Sequence, residues 1–267
     1  MRRVALKSGL LFVVLMMLVG ALPVAASTDP GLGAAADYAV IAGTALTCTD
    51  SNVVGPVGLN FTTAPTLTRC KIQVEYAPGA YDAFQTKYTY IADNLGPCDQ
   101  TFGSDNTLDG VILGPGTYCF DAAAALTGTL TLTGGGPWTF EIGATAVGAL
   151  TANSFRVVSD NPCNAFWWVQ ADVTMTDSAF QGTILGGGDI TLTRTSLEGR
   201  AWATHALTMT GSNIFGCNAA ATVAKHHCNQ GVGNGPEGCD PGNSNNKNKS
   251  NDELGGVPGH PGRMGYK

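Results

Sequence analysis

Charge is what this 267-residue chain has least of. Asp, Glu, Lys and Arg make up 13% of it, against about 25% in an ordinary soluble domain. With 14 basic and 20 acidic residues, it has no basic footprint for nucleic acid, and no nucleic-acid partner is expected. Reactive motifs are missing as well: there is no G-x-S-x-G, no phosphate-binding loop and no C-x-x-C, which removes the commonest nucleophile, nucleotide and zinc signatures. Asp172, Asp177, Asp189 and Glu198 are scattered through the centre of the chain, whereas glycoside cleavage needs two carboxyl groups flanking one bond. The four histidines are His205, His226, His227 and His260, and each reads as a surface residue rather than a base. His226-His227 beside Cys228 lacks ligand spacing for zinc, and Asp240, Asn243 and Asn245 miss the pattern of a calcium loop. The chain is therefore expected not to be an enzyme: no catalytic residue, metal, cofactor or small-molecule substrate is assigned.

What is present begins with an export signal. Arg2, Arg3 and Lys7 precede an apolar run from Leu10 to Leu22, and Val24-Ala25-Ala26 supplies small residues at a cleavage position. Residues 1–26 thus read as a secretory signal peptide, and their loss takes the net charge from -6 to -9. No later stretch approaches the about 18 apolar residues of a membrane span. All eight cysteines lie beyond the leader, and an even number in an exported chain predicts up to four disulfides among 105 pairings. Cys228 with Cys239 is the expected local pair.

The central feature is a repeat. Val173, Ile190 and Leu207 are 17 residues apart, as are Met175, Leu192 and Met209; Phe180, Leu197 and Ile214; and Gly182, Gly199 and Gly216. Thr174, Thr191, Thr208 and Thr176, Thr193, Thr210 keep the same step. Apolar residues at alternate positions and glycine at a fixed place predict stacked strand coils, with the threonines aligned on one outer face. The segment Cys48 to Gly55 has the same pattern and is expected to be another coil, out of sequence order. Leu150 to Phe155 repeats the unit 25 residues before Met175, which implies about eight extra residues near the Asp160-Asn-Pro-Cys163 turn. Tyr81, Phe84, Tyr88, Ile91 and Leu95 fall at helical steps, so a helix over about 79–95 is expected to cover the solenoid's flank. Asp82, Gln85, Lys87 and Asp93 lie off that stripe. Among Phe166, Trp167 and Trp168, at least one ring should fill the core. Residues 27–217 form the expected solenoid, and 218–267, rich in Gly, Asn, Pro and Ser, a largely disordered tail.

Several ordered pieces of this chain resemble the microbial ice-binding-protein-like family: Tyr38-Ala-Val-Ile-Ala-Gly-Thr, Leu113-Gly-Pro-Gly-Thr-Tyr-Cys-Phe120, Leu126-Thr-Gly-Thr-Leu-Thr-Leu, Trp138-Thr-Phe-Glu-Ile-Gly, Cys163-Asn-Ala-Phe-Trp-Trp-Val, and Gly182-Thr-Ile-Leu followed by Ile190-Thr-Leu. The resemblance runs from Tyr38 to Cys217 and implies an all-β, discontinuous, right-handed parallel β-helix with one long α-helix alongside. It also implies a secreted monomer whose partner is the ice/water surface. The family's outer-face motif, T-[A/G]-x-[T/N], is met in full by Thr210-Gly-Ser-Asn213 and nearly so by Thr151-Ala-Asn-Ser154. Thr49 to Asn52, Thr176 to Ala179 and Thr193 to Ser196 carry Asp50, Asp177 and Arg194 at the second position. The candidate ice-binding residues are then Thr49, Asn52, Thr151, Ser154, Thr174, Thr176, Thr191, Thr193, Ser196, Thr208, Thr210 and Asn213. A charge in the middle of such a face would hold water unlike ice, so modest activity is expected. The same ladders also suit an extracellular adhesin or envelope scaffold, with a cell-surface or glycan partner and no ice affinity.

Overall fold

A computed structural model describes residue 29 and residues 31–103 and 108–217; the leader, the 218–267 tail and the expected Cys228–Cys239 pair lie outside the described residues. Among the described residues nineteen strands pair in one sheet, and the pairing from one coil to the next is parallel. The sheet winds into coils with three faces, which is the solenoid that the 17-residue repeat predicts. Val173 pairs with Ile190 and Ile190 with Leu207, and Gly182 with Gly199. The repeat exists because each coil buries its inner side chains only on its neighbours. Val173, Met175, Ile190, Leu192, Leu207 and Met209 are fully buried, with Phe180 and Leu197 completing the same interior.

The first face stacks Ala45–Thr49, Thr66–Thr68, Val173–Thr176, Ile190–Thr193 and Ala206–Thr210 with the first part of Leu150–Ser159. The N-terminal segment does sit out of order: Ala45–Thr49 pairs with Ala206–Thr210, Asn52–Val54 with Asn213–Phe215, and Val40–Ala42 with the end of Ser196–Ala203. The coils that come first in sequence therefore extend the solenoid beyond those that come last.

This permuted order requires a connection back to the far end, and α1 (Pro78–Asp93) supplies it. Pro78 stands in its first turn, where a missing N–H costs nothing. Sixteen residues rise about 24 Å, or roughly five strand spacings. The helix lies on the third face, whose outer column Trp168, Leu185, Trp202 and Ile41 is apolar and in register. These four side chains cluster with Phe84 and Ile91 of α1. A strand buried on both sides loses the polar half of its alternation, as in Ala165–Val169 and Val40–Ala42. Trp167 enters the coil interior, stacked on Phe140 at 3.7 Å between ring centres, while Trp168 meets the helix.

Two local expectations are corrected. Leu150 pairs with Val173 and Arg156 with Ala179, so the irregular coil is 23 residues long rather than 25, and the insertion is six residues rather than eight. It falls around the expected turn, between Arg156 and Phe166. By pattern alone Leu150 matches the second inward position, but it occupies the first, with Ala152 at the second. Lys87, read as lying off the apolar stripe of α1, is only 6% exposed. Its Nζ donates to both oxygens of Asp29 at 2.6 and 2.7 Å and lies over the rings of Tyr90 and Phe166; a long aliphatic stem allows this burial once the charge is paired. Disulfides join Cys48 to Cys70, Cys98 to Cys119 and Cys163 to Cys217.

Candidate ice-contacting face

Strand alternation fixes which threonines point outward. With Val173 and Met175 inward, Thr174 and Thr176 project from the first face, and register carries this from coil to coil. The first outer column runs Thr151, Thr174, Thr191, Thr208, Thr47 and Thr66. The second runs Asn153, Thr176, Thr193, Thr210, Thr49 and Thr68. Eleven threonines and one asparagine thus stand in two parallel rows, with steps of about 4.8 Å along a row and about 6.6 Å between rows.

Immediately after the second row the chain turns a corner. Ser154, Asp177, Arg194, Gly211, Asp50 and Arg69 each have φ between 47 and 59°, the left-handed region that lets the strand bend without breaking the ladder. Arg194 N–H still donates to the Thr210 carbonyl at 2.8 Å, and Asp177 N–H to that of Thr193 at 3.0 Å. The next side chain points inward and is a hydroxyl: Ser178, Thr195, Ser212 and Ser51 are all at most 4% exposed. Each donates to the carbonyl two residues back, at 2.9, 3.2, 3.1 and 2.8 Å, on Thr176, Thr193, Thr210 and Thr49 respectively. Three of them also accept a backbone N–H from another coil: Ser178 from Phe155, Ser212 from Thr195 and Ser51 from Ser212. This buried hydroxyl column satisfies the corner backbone and pins the second threonine row from behind.

The structure redistributes the twelve candidates. Thr151, Thr174, Thr191 and Thr208 form the first row, and Thr49, Thr176, Thr193 and Thr210 the second. Ser154 is itself a corner residue. Asn52, Ser196 and Asn213 lie beyond the corner, in a column with Ala179 and Arg156. The motif T-[A/G]-x-[T/N] therefore straddles the corner here.

The expectation that Asp177 and Arg194 interrupt the middle of the face is also corrected. Both stand at its edge, and the Arg194 guanidinium donates to both Asp177 oxygens, at 2.6 and 2.7 Å. Arg69 binds Asp50 by the same two-pronged contact. These hydrogen bonds hold the Asp177 and Asp50 carboxyls below the usual range. On the other flank of the face, Asp172 accepts the Asp189 N–H at 2.8 Å and Asp189 that of Ala206 at 2.9 Å.

Four row members were missed in the sequence: Thr47, Thr66, Thr68 and Asn153. The signal was there for two of them, because Thr66-Leu-Thr-Arg69 repeats Thr191-Leu-Thr-Arg194 letter for letter. Thr47 sits in Leu46-Thr-Cys-Thr49, where Cys48 takes the place of an inward aliphatic residue.

Other chemistry-bearing groups lie away from the rows. Among the described residues, Cys98, Cys119 and Glu141 bring three ligand-type atoms together, but both sulfurs form the Cys98–Cys119 bond. Burial pushes the Glu141 carboxyl up, and it accepts the Gly96 N–H at 3.1 Å. It lines a cavity of about 220 Å³ between α1 and the third face, shared with Asp29, Lys87, Tyr90 and Thr139.

A family model described as "Ice-binding-like" matches residues 19–215. An ice-binding protein of Flammulina populicola is 34% identical over 112 residues, covering 40% of this chain and 45% of the relative. One from Nostoc sp. (strain HG1) is 31% identical over 175 residues, covering 61% of this chain and 64% of the relative. The chain thus spans about half to under two thirds of the curated relatives it matches. The crystal structure of an ice-binding protein from an Antarctic bacterium of the Flavobacteriaceae superposes with a TM-score of 0.61 at 31% identity, covering 70% of this chain and 47% of that one.

Proposed function

Because the chain belongs to the ice-binding-like family, we propose that its two threonine rows adsorb to ice and that it acts as a secreted antifreeze or recrystallisation-inhibiting protein. The observation that carries this reading is the uninterrupted register of eleven threonines on one face. Each threonine offers a methyl, around which water closes into a cage, and a hydroxyl, to which that cage is tethered. Spaced on a fixed grid, these groups order a water layer able to merge with a crystal plane. Any single contact is weak, so the array succeeds only if little freedom is lost on binding. The buried hydroxyl column, the packed interior and the Cys48–Cys70 bond behind the rows supply that stiffness.

The role is one of binding, without catalysis. Disulfides suit an oxidising compartment, and export accords with the basic and apolar start of the sequence. One face per molecule suffices for adsorption, and the acting species is taken as a monomer. The test is direct: purified protein at micromolar concentration should shape ice crystals, show thermal hysteresis and slow recrystallisation. Rounded, unfaceted ice discs with none of these effects would end the ice reading.

A further inference from the structure

The corner beside the second row presents a puzzle of residue choice. Its backbone demands a left-handed conformation at every coil, and Gly211 meets that demand with φ 59°. Asp177, Arg194, Asp50 and Arg69 meet it at φ 47–51°, where a β-carbon costs about 1–2 kcal/mol. Their ion pairs do not explain the choice by stability. Arg194 and Asp177 side chains are 61% and 45% exposed, and Arg69 and Asp50 are 71% and 45% exposed; contacts this open to solvent stabilise a fold little.

What distinguishes these charges is their pairing across coils. Asp177 and Arg194 follow consecutive members of the second row, Thr176 and Thr193, which face each other in register. Asp50 and Arg69 follow Thr49 and Thr68, likewise in register. Gly211 stands between the two pairs, so the column carries no charge without an opposite partner next to it. On the far flank the carboxylates of Asp172 and Asp189 keep their charge but are held in place by backbone N–H groups.

We propose that Asp177–Arg194 and Asp50–Arg69 form a charge-neutral rim that delimits the ice-contacting strip to two rows, and that these four are positioning residues for the water layer beside them. This rests on the ice reading above. A lone ion orients its hydration shell radially and disturbs the tetrahedral layer over the adjacent threonines. Held in two-pronged contact, opposite charges cancel within a few ångströms, and each guanidinium bridges one coil step of the row. The rim thereby keeps solubilising charge at the edge of the strip without a net field over it.

The experiment compares Asp177→Gly, Arg194→Gly and the double variant, with glycine chosen because Gly211 shows that this corner accepts it. Either single substitution should lower thermal hysteresis about two- to fivefold, the span of coupling that a surface ion pair gives, because it strands an unpaired charge at the rim. The double variant should recover most of the loss, and the swapped pair Asp177→Arg with Arg194→Asp should do the same. Melting curves establish that all variants are folded. If the double variant loses as much as the two singles combined, the pair is only a clamp and the neutral-rim role is wrong. If wild type is active and the singles match it, the rim has no role while the ice reading stands. If wild type itself is inactive on ice, both fall together.

Discussion

Replacing Thr193 by tyrosine tests the contact surface at its centre. Thr193 has Thr176 and Thr210 as neighbours along its row, each about 4.8 Å away, and Thr191 on its own strand at about 6.6 Å. A phenol ring standing above this plane holds a flat crystal off at least these four of the eleven threonines. If contacts were independent and the surfaces pliable, the other seven would keep about two thirds of the activity. Neither surface is pliable: Thr193 is pinned by the Thr195 hydroxyl on its carbonyl, and ice is a crystal. One protrusion should therefore lift the whole strip, and thermal hysteresis should fall to under about a tenth, far more than the share of threonines covered. Tyrosine suits an outward strand position, so stability should shift by no more than about 0.5 kcal/mol, as circular dichroism and melting would verify. Ser196→Tyr is the matched control, since Ser196 lies past the corner and outside the rows; it should keep activity near wild type. Two results would refute the reasoning: retention of two thirds or more by Thr193→Tyr, or an equal loss with Ser196→Tyr.

Two further outcomes follow from the packing. Removing the Cys48–Cys70 bond by paired alanine substitutions opens a link between residues 22 apart, worth about 3 kcal/mol in the chain-entropy account and a melting shift of roughly 6–12 °C; calorimetry should show that drop, with hydrogen exchange rising first at Thr66–Thr68. The Glu141 carboxyl has a folded pKa raised above its unfolded value by burial, so the folded state binds the proton more tightly and loses stability as pH climbs through the interval from the unfolded to the folded pKa. Glu141→Gln removes this loss, and its melting temperature should exceed wild type at pH 7 but not at pH 3; a gain that is the same at both values would show that ionisation is not the cause.

The interior of the coil was legible because it is periodic. Phe180, Leu197 and Ile214 declare their register by spacing alone, since an inward position repeated at a fixed step must meet its copies. The helix was legible for a similar reason: Phe84 and Ile91 recur at helical intervals and both end up buried. Where the period breaks, reading by pattern slipped. Leu150 matched the wrong inward position by two residues because alternation with period two admits a shift of two at no apparent cost, and only pairing with Val173 resolves it. Lys87 could not be placed from its helix alone, because its partner Asp29 is 58 residues away.

The sequence by itself determined the inside of this protein and the identity of the side chains on its outer surface, because burial imposes a strict alternation that threonine, valine and methionine write openly. It could not say where one outer face ends and the next begins. Thr210 and Asn213 are three residues apart in a single motif, yet a left-handed residue between them sends them to different faces. Nor could it say that Asp177 and Arg194 neutralise each other, or that Thr47 and Thr66 follow Thr208 in one row while Thr49 and Thr68 follow Thr210 in the other. Those depend on which coils become neighbours, and the permuted stacking of the first coils on the last is decided by the tertiary fold, where α1 must carry the chain back across the third face.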